Sequence, residues 1–119
     1  MKGKVLLVHW NSQEAGILAE MVRSYGWEVA TETDDGSRVG RQVKELKPNA
    51  VIIYLSRLPS HGREAGAGLR SVKATKTVPL VYVDGTPEVI ERTRRKIPDA
   101  IFTSTEELPE VLVKFAHYT

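Results

Sequence analysis

The sequence predicts an α/β domain in which an open parallel sheet of five strands carries helices on both faces. Short runs rich in β-branched residues alternate with helical segments about five times along the 119 residues. The runs at 5–8 and 51–55 are apolar throughout, which is typical of strands buried on both faces of a parallel sheet. The length is that of one domain, and we expect residues 1–119 to form a single domain without an output domain.

The first strand and the first helix are predicted from residues 5–26. Residues 5–8 form the strand, and Asn11 or Ser12 can cap the helix that follows. Gly26 ends this helix, because the left-handed conformation of a C′ residue is easy for glycine. The apolar positions that recur at helical spacing are Ala15, Leu18, Met21, Val22 and Tyr25.

The next two strand–helix units follow the same order. Residues 27–33 alternate and predict a strand at the sheet edge, beginning with a buried tryptophan. The turn at 34–37 leads into a helix that ends before Pro48, with inward positions Val39, Val43 and Leu46. Residues 51–55 form the third strand, and a third helix, weakened by two glycines, is expected over 62–73.

The last two units complete the sheet. Residues 78–83 form the fourth strand, and Pro87 suits the first turn of a fourth helix with inward positions Val89, Ile90 and Thr93. Residues 100–103 form a short fifth strand. Residues 104–107 have the pattern of a capping box that opens the last helix, whose inner face is Leu108, Val111, Leu112 and Phe115.

The composition is that of an ordinary globular protein, with 41% hydrophobic and 27% charged residues. The absence of cysteine excludes disulfides, thiolate metal sites and cysteine nucleophiles. The net charge of +2, with a pI near 9.0, is too weak to indicate nucleic-acid binding by itself. No apolar run approaches the ~20 residues that cross a membrane, and the short apolar run near the start does not make a signal peptide. We therefore expect a cytoplasmic protein with no membrane contact.

Several stretches of the sequence together identify a family. They are KVLLV at 4–8, KPNAVIIYL at 47–55, TVPLVYV at 77–83 and IPDAIFTS at 97–104, together with Pro59 and Gly62. With these stretches, the chain resembles the receiver domain of bacterial two-component response regulators over essentially its whole length. The resemblance implies a flavodoxin-like three-layer α/β/α sandwich with strand order 2-1-3-4-5. In such folds, ligands bind beyond the carboxyl ends of the strands.

The resemblance also implies which positions to examine for phosphoryl chemistry. In receivers, two acidic residues after the first strand hold Mg²⁺, and an aspartate ending the third strand accepts the phosphoryl group. A hydroxyl residue after the fourth strand and a lysine after the fifth read the phosphorylated state. The matching positions here are His9, Trp10, Tyr54, Asp84 and Thr103. None of them keeps the family residue.

An alignment on Pro59 would move the acceptor position from Tyr54 to Leu55, but neither choice gives a carboxylate. No aspartate or glutamate lies between Glu45 and Glu64. We therefore expect a degenerate pseudo-receiver that lacks aspartyl phosphorylation and Mg²⁺ binding. It is expected to need no cofactor and not to be an enzyme.

The replaced pocket has two interpretations. His9, Tyr54 and Asp84 end neighbouring strands, so we expect them to be close enough for hydrogen bonding. In one hypothesis, an imidazole oriented by a carboxylate beside a phenol binds an anion or acts as a general base. In the other, which we favour, the three side chains form a satisfied polar network in place of the metal. Trp10 can fill the same space.

The loop after the third strand is a candidate anion-binding loop. It contains Ser56, Arg57, Ser60, His61 and Arg63 beside a helix start. In the favoured alternative, the loop is exposed and its arginines are solvated or pair with Glu64. The sequence has no Walker motif and no dinucleotide fingerprint. With the pocket, this loop gives the second hypothesis for function, a small anion-binding, ligand-binding or catalytic domain.

A basic cluster lies in the fourth helix, at Arg92, Arg94, Arg95 and Lys96. Receivers use the face formed by the fourth helix, fifth strand and fifth helix for dimerisation and output. The resemblance thus implies a protein partner or self-association there, through Arg92, Arg95 and Lys96. Glu88 and Glu91, four residues before Arg92 and Arg95, can neutralise the cluster. Aromatic residues are not interleaved, so nucleic acid is not favoured. The favoured function is a signalling or protein-interaction module.

Overall fold

The structure is a computed structural model that describes residues 1–117, in which five strands alternate with five helices. The strands are β1 (Lys4–Val8), β2 (Glu28–Glu32), β3 (Ala50–Tyr54), β4 (Leu80–Val83) and β5 (Ile101–Thr103). The helices are α1 (Ser12–Ser24), α2 (Ser37–Leu46), α3 (Pro59–Ser71), α4 (Pro87–Lys96) and α5 (Leu108–Val113). All strands pair in parallel in the order β2-β1-β3-β4-β5. The predicted fold class and strand order are confirmed.

The sheet separates two hydrophobic cores, because successive residues of a strand point to opposite faces. One core packs β1, β3 and β4 against α1 and α5, and it includes Val5, Leu7, Ile52, Tyr54, Leu108 and Leu112. The other packs the sheet against α2, α3 and α4, and it includes Leu6, Val8, Ile53, Val43, Leu69 and Tyr82. Every residue of β3 is buried, as the apolar run predicted.

The predicted signals at the ends of helices are confirmed in three places. The Oδ1 atom of Asn11 accepts a hydrogen bond from the backbone N–H of Glu14 at 3.0 Å and caps α1. Gly26 takes a φ of +98° just beyond this helix. Before α5, the N–H of Glu107 donates to Ser104 Oγ at 3.2 Å, and the Ser104 hydroxyl donates to the Glu107 carboxylate at 3.3 Å. The α-helix itself begins after this turn, at Leu108.

Helix α3 begins earlier than the sequence predicted, at Pro59 instead of residue 62. Leu58 adopts a left-handed backbone with a φ of 43°, and Pro59 then supplies a first-turn φ suited to a helix. As a consequence, Ser60, His61 and Arg63 lie in the first turns of the helix and not in a loop.

The inner face of α1 also differs from the predicted one. Met21 is exposed, and the buried positions of the helix are Ala15, Ala19 and Val22. These three residues recur at the i, i+4, i+7 spacing of one helix face, and position 21 lies beside that face. Trp27, just before β2, is buried as predicted.

Close packing between α3 and β4 depends on Gly66. The buried Tyr82 hydroxyl donates a hydrogen bond to the carbonyl oxygen of Gly62 at 3.0 Å. It lies so near Gly66 that a Cβ atom there would be 1.9 Å from the hydroxyl oxygen and 2.8 Å from Ile97 Cδ1. Gly66 and Gly68 both weaken the helix by propensity, but they differ in packing. A Cβ atom on Gly66 would collide with its neighbours, whereas a Cβ atom on Gly68 would meet nothing within 4 Å.

Within residues 1–117, no helix has the length and apolar character needed to span a membrane.

Candidate functional site

The candidate site lies at the carboxyl edge of the sheet, where β1, β3 and β4 are adjacent. His9 directly follows β1, Tyr54 is the last residue of β3, and Asp84 directly follows β4. Thr103 is the last residue of β5, and its carbonyl oxygen accepts the N–H of Asp84 at 2.9 Å. The parallel topology thus places these positions at one edge, as the sequence predicted.

The His9 imidazole is buried and neutral. Its Nδ1 atom accepts a hydrogen bond from the backbone N–H of Asn11 at 3.1 Å, so the ring proton belongs on Nε2. The Nε2 atom faces the carboxylate of Glu14, with 3.4 Å between Nε2 and Oε1. Burial lowers the pKa of His9, and its effect exceeds that of the Glu14 carboxylate, which raises it. Arg57 lowers the pKa of His9 further.

Glu14 and Arg57 form an ion pair across the top of this site, which the sequence did not predict. The Arg57 guanidinium donates from Nε to Oε1 of Glu14 at 3.2 Å and from its terminal nitrogen to Oε2 at 2.5 Å. The hydrogen bonds and charge of Arg57 lower the pKa of the Glu14 carboxyl. Both side chains are substantially exposed. The pair links the start of α1 to the segment after β3.

The Tyr54 phenol is buried in the core beneath α1 and α5. Its ring centroid lies 5.3 Å from that of His9, at an angle of 40°. The hydroxyl has no hydrogen-bond partner among the described residues. Burial, and secondarily the carboxylate of Asp84, raise the pKa of Tyr54. The phenol therefore stays protonated at neutral pH and does not serve as a base or a nucleophile there.

Asp84 binds Thr105 and not His9 or Tyr54, which corrects the hydrogen-bonded trio that the sequence suggested. Its Oδ1 atom accepts the backbone N–H of Thr105 at 3.1 Å, and its Oδ2 atom accepts the Thr105 hydroxyl at 2.7 Å. The backbone of Asp84 is left-handed, with a φ of 62°. This bidentate contact holds together the segments after β4 and β5. Thr105 is thus a second site residue that sequence reasoning missed.

Trp10 turns to the other face of the sheet, toward α2 and α3. A Cβ atom on Gly36 would lie 3.5 Å from Cη2 of the indole, and the ring meets that of His61 at 5.8 Å and 86°. Trp10 lines a cavity of about 520 Å³ between α2 and α3. The interpretation that it fills the space beside Tyr54 is not supported by these contacts.

The candidate anion-binding residues do not converge on one point. Arg57 is paired with Glu14, and not with Glu64 as one reading of the sequence suggested. His61 contacts Trp10, and the buried Nε atom of Arg63 has no partner among the described residues. Ser56 and Ser60 are exposed. Arg57 is thus neutralised by Glu14, whereas Arg63 has no carboxylate partner among the described residues.

The basic cluster of α4 is partly neutralised. Glu91 pairs with Arg95 at 3.2 Å, as predicted, and lies 3.9 Å from Arg94. The predicted pair of Glu88 with Arg92 is not formed in the structure of residues 1–117.

Arg94 also stacks over the ring of Phe102 in β5, 4.8 Å from its centroid. Arg92 and Lys96 thus remain without a carboxylate partner in the described part of the chain.

The position of His9 predicts how its pKa responds to two substitutions. Glu14→Gln removes the group that raises the pKa of His9 and should lower it further, whereas Arg57→Gln should raise it. Titration of the His9 ring protons by NMR measures both shifts. A pKa of His9 at or above about 6.5 in the unmodified protein would contradict the buried, neutral ring.

A pH dependence of folding stability follows from the same shift. Because the pKa of His9 is lower in the folded than in the unfolded chain, the unfolded chain binds more protons just below pH ~6.5. The free energy of unfolding should therefore fall as the pH drops through this window. The His9→Gln variant should lose less stability than the unmodified protein between about pH 7 and pH 5.5, as measured by urea unfolding.

Comparison with known proteins was made by sequence and by structure. No protein-family model matches the chain. No curated protein matches it either. Solved structures do match. One is the receiver domain of the sensor histidine kinase PA1611 from Pseudomonas aeruginosa PAO1, which was solved with a magnesium ion in its active-site cleft. It has a TM-score of 0.73 and 21% identity to this chain. The match covers 97% of this chain and 98% of that one.

Two further structures extend the comparison. The signal receiver domain of a response regulator from Bermanella marisrubri has a TM-score of 0.74 and 14% identity, over 94% of this chain and 96% of that one. The pseudo-receiver domain of the CikA protein has a TM-score of 0.71 and 18% identity, over 95% of this chain and 92% of that one. At these identities the likeness establishes the fold. The chain therefore has the flavodoxin-like fold of response-regulator receiver domains.

Proposed function

We propose that this protein is a receiver-like interaction module that works without aspartyl phosphorylation and without Mg²⁺. The observation that carries the proposal is the pair of side chains that end β1 and β3. A neutral His9 and a neutral Tyr54 lie there, where phosphoryl transfer by this fold would need carboxylates around a hard cation. The nearest carboxylate along α1, that of Glu14, is engaged by Arg57.

The contacts of Asp84 support a domain whose surface does not change conformation on phosphorylation. A phosphorylation-driven switch needs a hydroxyl and a cation that can move toward the new phosphoryl group. Here Asp84 and Thr105 already satisfy each other, and Thr103 supplies no amine. Because these side chains have no phosphoryl group to move toward, the domain would present one arrangement of α4 and β5 to its partner.

Protein contacts are the output that the surface supports best. On α4, Arg92 and Lys96 are available to acidic groups of a partner or of a second copy, and Arg94 is held over Phe102. Glu91 lowers the net charge of the same helix, which argues against nucleic acid. In this view residues 1–119 act as one domain in the cytoplasm, and the signal passes through a bound protein.

The second hypothesis is a domain that binds an anion or acts on a ligand through the pocket of His9, Tyr54 and Asp84 and the loop from Arg57 to Arg63, and it gains no support. Arg57 and Asp84 have partners within the chain, and the raised pKa of Tyr54 removes the phenolate. No other observation favours catalysis at this edge of the sheet.

A Mg²⁺ titration tests the proposed function. Backbone amide NMR spectra are recorded while Mg²⁺ is raised to about 20 mM, far above the concentration that a dedicated carboxylate site needs. We expect no saturable shift at the amides of Asn11, Leu55 and Gly85. A site with sub-millimolar affinity at these amides would contradict the proposal, and NaCl at matched ionic strength controls for bulk ionic strength.

A further inference from the structure

The proposed function does not use the cavity between α2 and α3. Its volume of about 520 Å³ falls within the usual range for small-ligand sites. Trp10 and His61 line it near the carboxyl edge of the sheet, and Ala65, Leu69 and Val72 line it along α3. It thus combines two aromatic rings with an apolar wall.

Two glycines keep this cavity open. Gly40 on α2 and Gly68 on α3 both line it, and a Cβ atom on either would meet nothing within 4 Å. Glycine in a helix interior costs roughly 1 kcal/mol relative to alanine, and no close packing requires it at these two positions. The space that they leave is therefore available to a ligand.

The charge of the lining is one-sided. The chain carries a net charge of +2, yet among residues 1–117 the charged ones that line the cavity are Asp34, Asp35 and Glu64, without a lysine or an arginine. Asp35 bonds to Ser37 and lies 3.8 Å from Arg38, so its charge is partly compensated. Asp34 and Glu64 have no ion-pair partner within residues 1–117. Negative charge is therefore available at this opening.

An anion is not favoured by the start of α2, although helix starts usually attract one. The buried carboxylate of Glu32 already accepts the backbone N–H groups of Asp34 and Asp35, at 2.9 and 3.0 Å. Asp35 accepts the N–H of Ser37 at 2.9 Å. These donors are satisfied within the chain, and the carboxylates that satisfy them would repel an incoming anion.

We propose that this cavity binds a small organic cation, an ammonium group carried on an apolar body the size of one aromatic ring. The ammonium lies near Asp34 and Glu64, beside the indole ring of Trp10, whose face can attract a cation. The apolar body lies between the two glycines, against Ala65 and Leu69. Among residues 1–117, no three His, Asp or Glu side chains are grouped as a metal ion would need. A diffuse cation therefore fits better than a metal.

Three probes that share one phenyl ring test the charge preference. Phenethylammonium, neutral 2-phenylethanol and anionic 3-phenylpropionate are titrated separately into the ¹⁵N-labelled protein. We expect phenethylammonium to bind with a Kd on the order of 1 mM and to shift the amides of Gly40 and Gly68, with the anion at least about tenfold weaker. Equal shifts with all three probes, or none up to about 20 mM, would overturn the proposal.

Matched variants test the location. Gly68→Met fills the cavity, whereas Gly16→Met adds the same side chain to an equally open position of α1 outside it. We expect Gly68→Met to weaken the binding of phenethylammonium at least about tenfold and Gly16→Met to leave its affinity unchanged. An unchanged affinity in Gly68→Met would show that the cation binds elsewhere and would overturn the proposal.

The carboxylates are tested without altering the shape of the cavity. The double variant Asp34→Asn with Glu64→Gln should weaken phenethylammonium by about tenfold, while the control Glu45→Gln with Glu88→Gln, outside this cavity, should not. Equal effects of the two double variants would mean that only the overall charge matters, and would contradict a site at this position.

Discussion

Replacing Gly66 with alanine is expected to lower the free energy of unfolding by about 3 kcal/mol or more. The added methyl group would lie 1.9 Å from the Tyr82 hydroxyl and 2.8 Å from Ile97 Cδ1. Tyr82 cannot yield easily, because it is buried, bonds to Gly62 and stacks on Phe102 with 5.5 Å between ring centroids. Helix α3 would have to move away from β4.

Gly68→Ala on the same helix is the matched control. Its Cβ atom meets nothing within 4 Å, so the higher helix propensity of alanine should raise stability by up to about 1 kcal/mol. Urea unfolding of the two variants should therefore give changes of opposite sign. A Gly66→Ala variant as stable as the unmodified protein would mean that α3 does not pack on Tyr82 as described.

Replacing Tyr54 with aspartate, which would supply the phosphoacceptor residue of receivers, is expected to cost about 4 kcal/mol and to gain no phosphorylation. The carboxylate would be buried in the core that includes Val83, Leu108 and Leu112, and the phenol ring would leave a cavity. His9 and Trp10 supply no oxygen ligands for Mg²⁺.

Tyr54→Phe separates loss of the hydroxyl from loss of the ring. Because the hydroxyl has no hydrogen-bond partner among the described residues, the phenylalanine variant should change stability by less than about 1 kcal/mol. Thermal and urea unfolding measure both substitutions. A Tyr54→Asp variant that unfolds like the unmodified protein, or that becomes phosphorylated from a small phosphodonor, would show that the pocket retains the surroundings of a working site.

The fold was largely predictable because its determinants are local. Apolar runs at 5–8 and 51–55, the cap at Asn11 and the left-handed glycine at position 26 each act within a few residues, and each was confirmed. The start of α3 was missed because it depends on the left-handed backbone of Leu58. A positive φ is uncommon for leucine and cannot be predicted from the residue type.

The site was less predictable because its contacts join residues far apart in sequence. Arg57 and Glu14 are 43 residues apart, and Asp84 and Thr105 are 21 apart. One signal was available: Glu14 in the first turn of α1 and Arg57 in the segment after β3 both follow the carboxyl ends of adjacent parallel strands. The direction of the Trp10 side chain, toward Gly36 and away from Tyr54, is set by packing and has no such signal.

A flavodoxin-like sheet brings its strand ends to one edge, where polar contacts within the chain engage three side chains. His9 is held by Asn11, Asp84 by Thr105, and Arg57 by Glu14. The surface of α4 and β5 and the acidic cavity between α2 and α3 are open to other molecules.

The intact mass of the purified protein after incubation with Mg²⁺ and acetyl phosphate tests the absence of phosphoryl chemistry most directly. A receiver domain with its aspartate in place serves as the positive control in the same buffer. We predict an unchanged mass for this protein under conditions that modify the control. A stoichiometric phosphoryl adduct would contradict the account, and fragmentation of the adduct would then identify the residue that accepts the group.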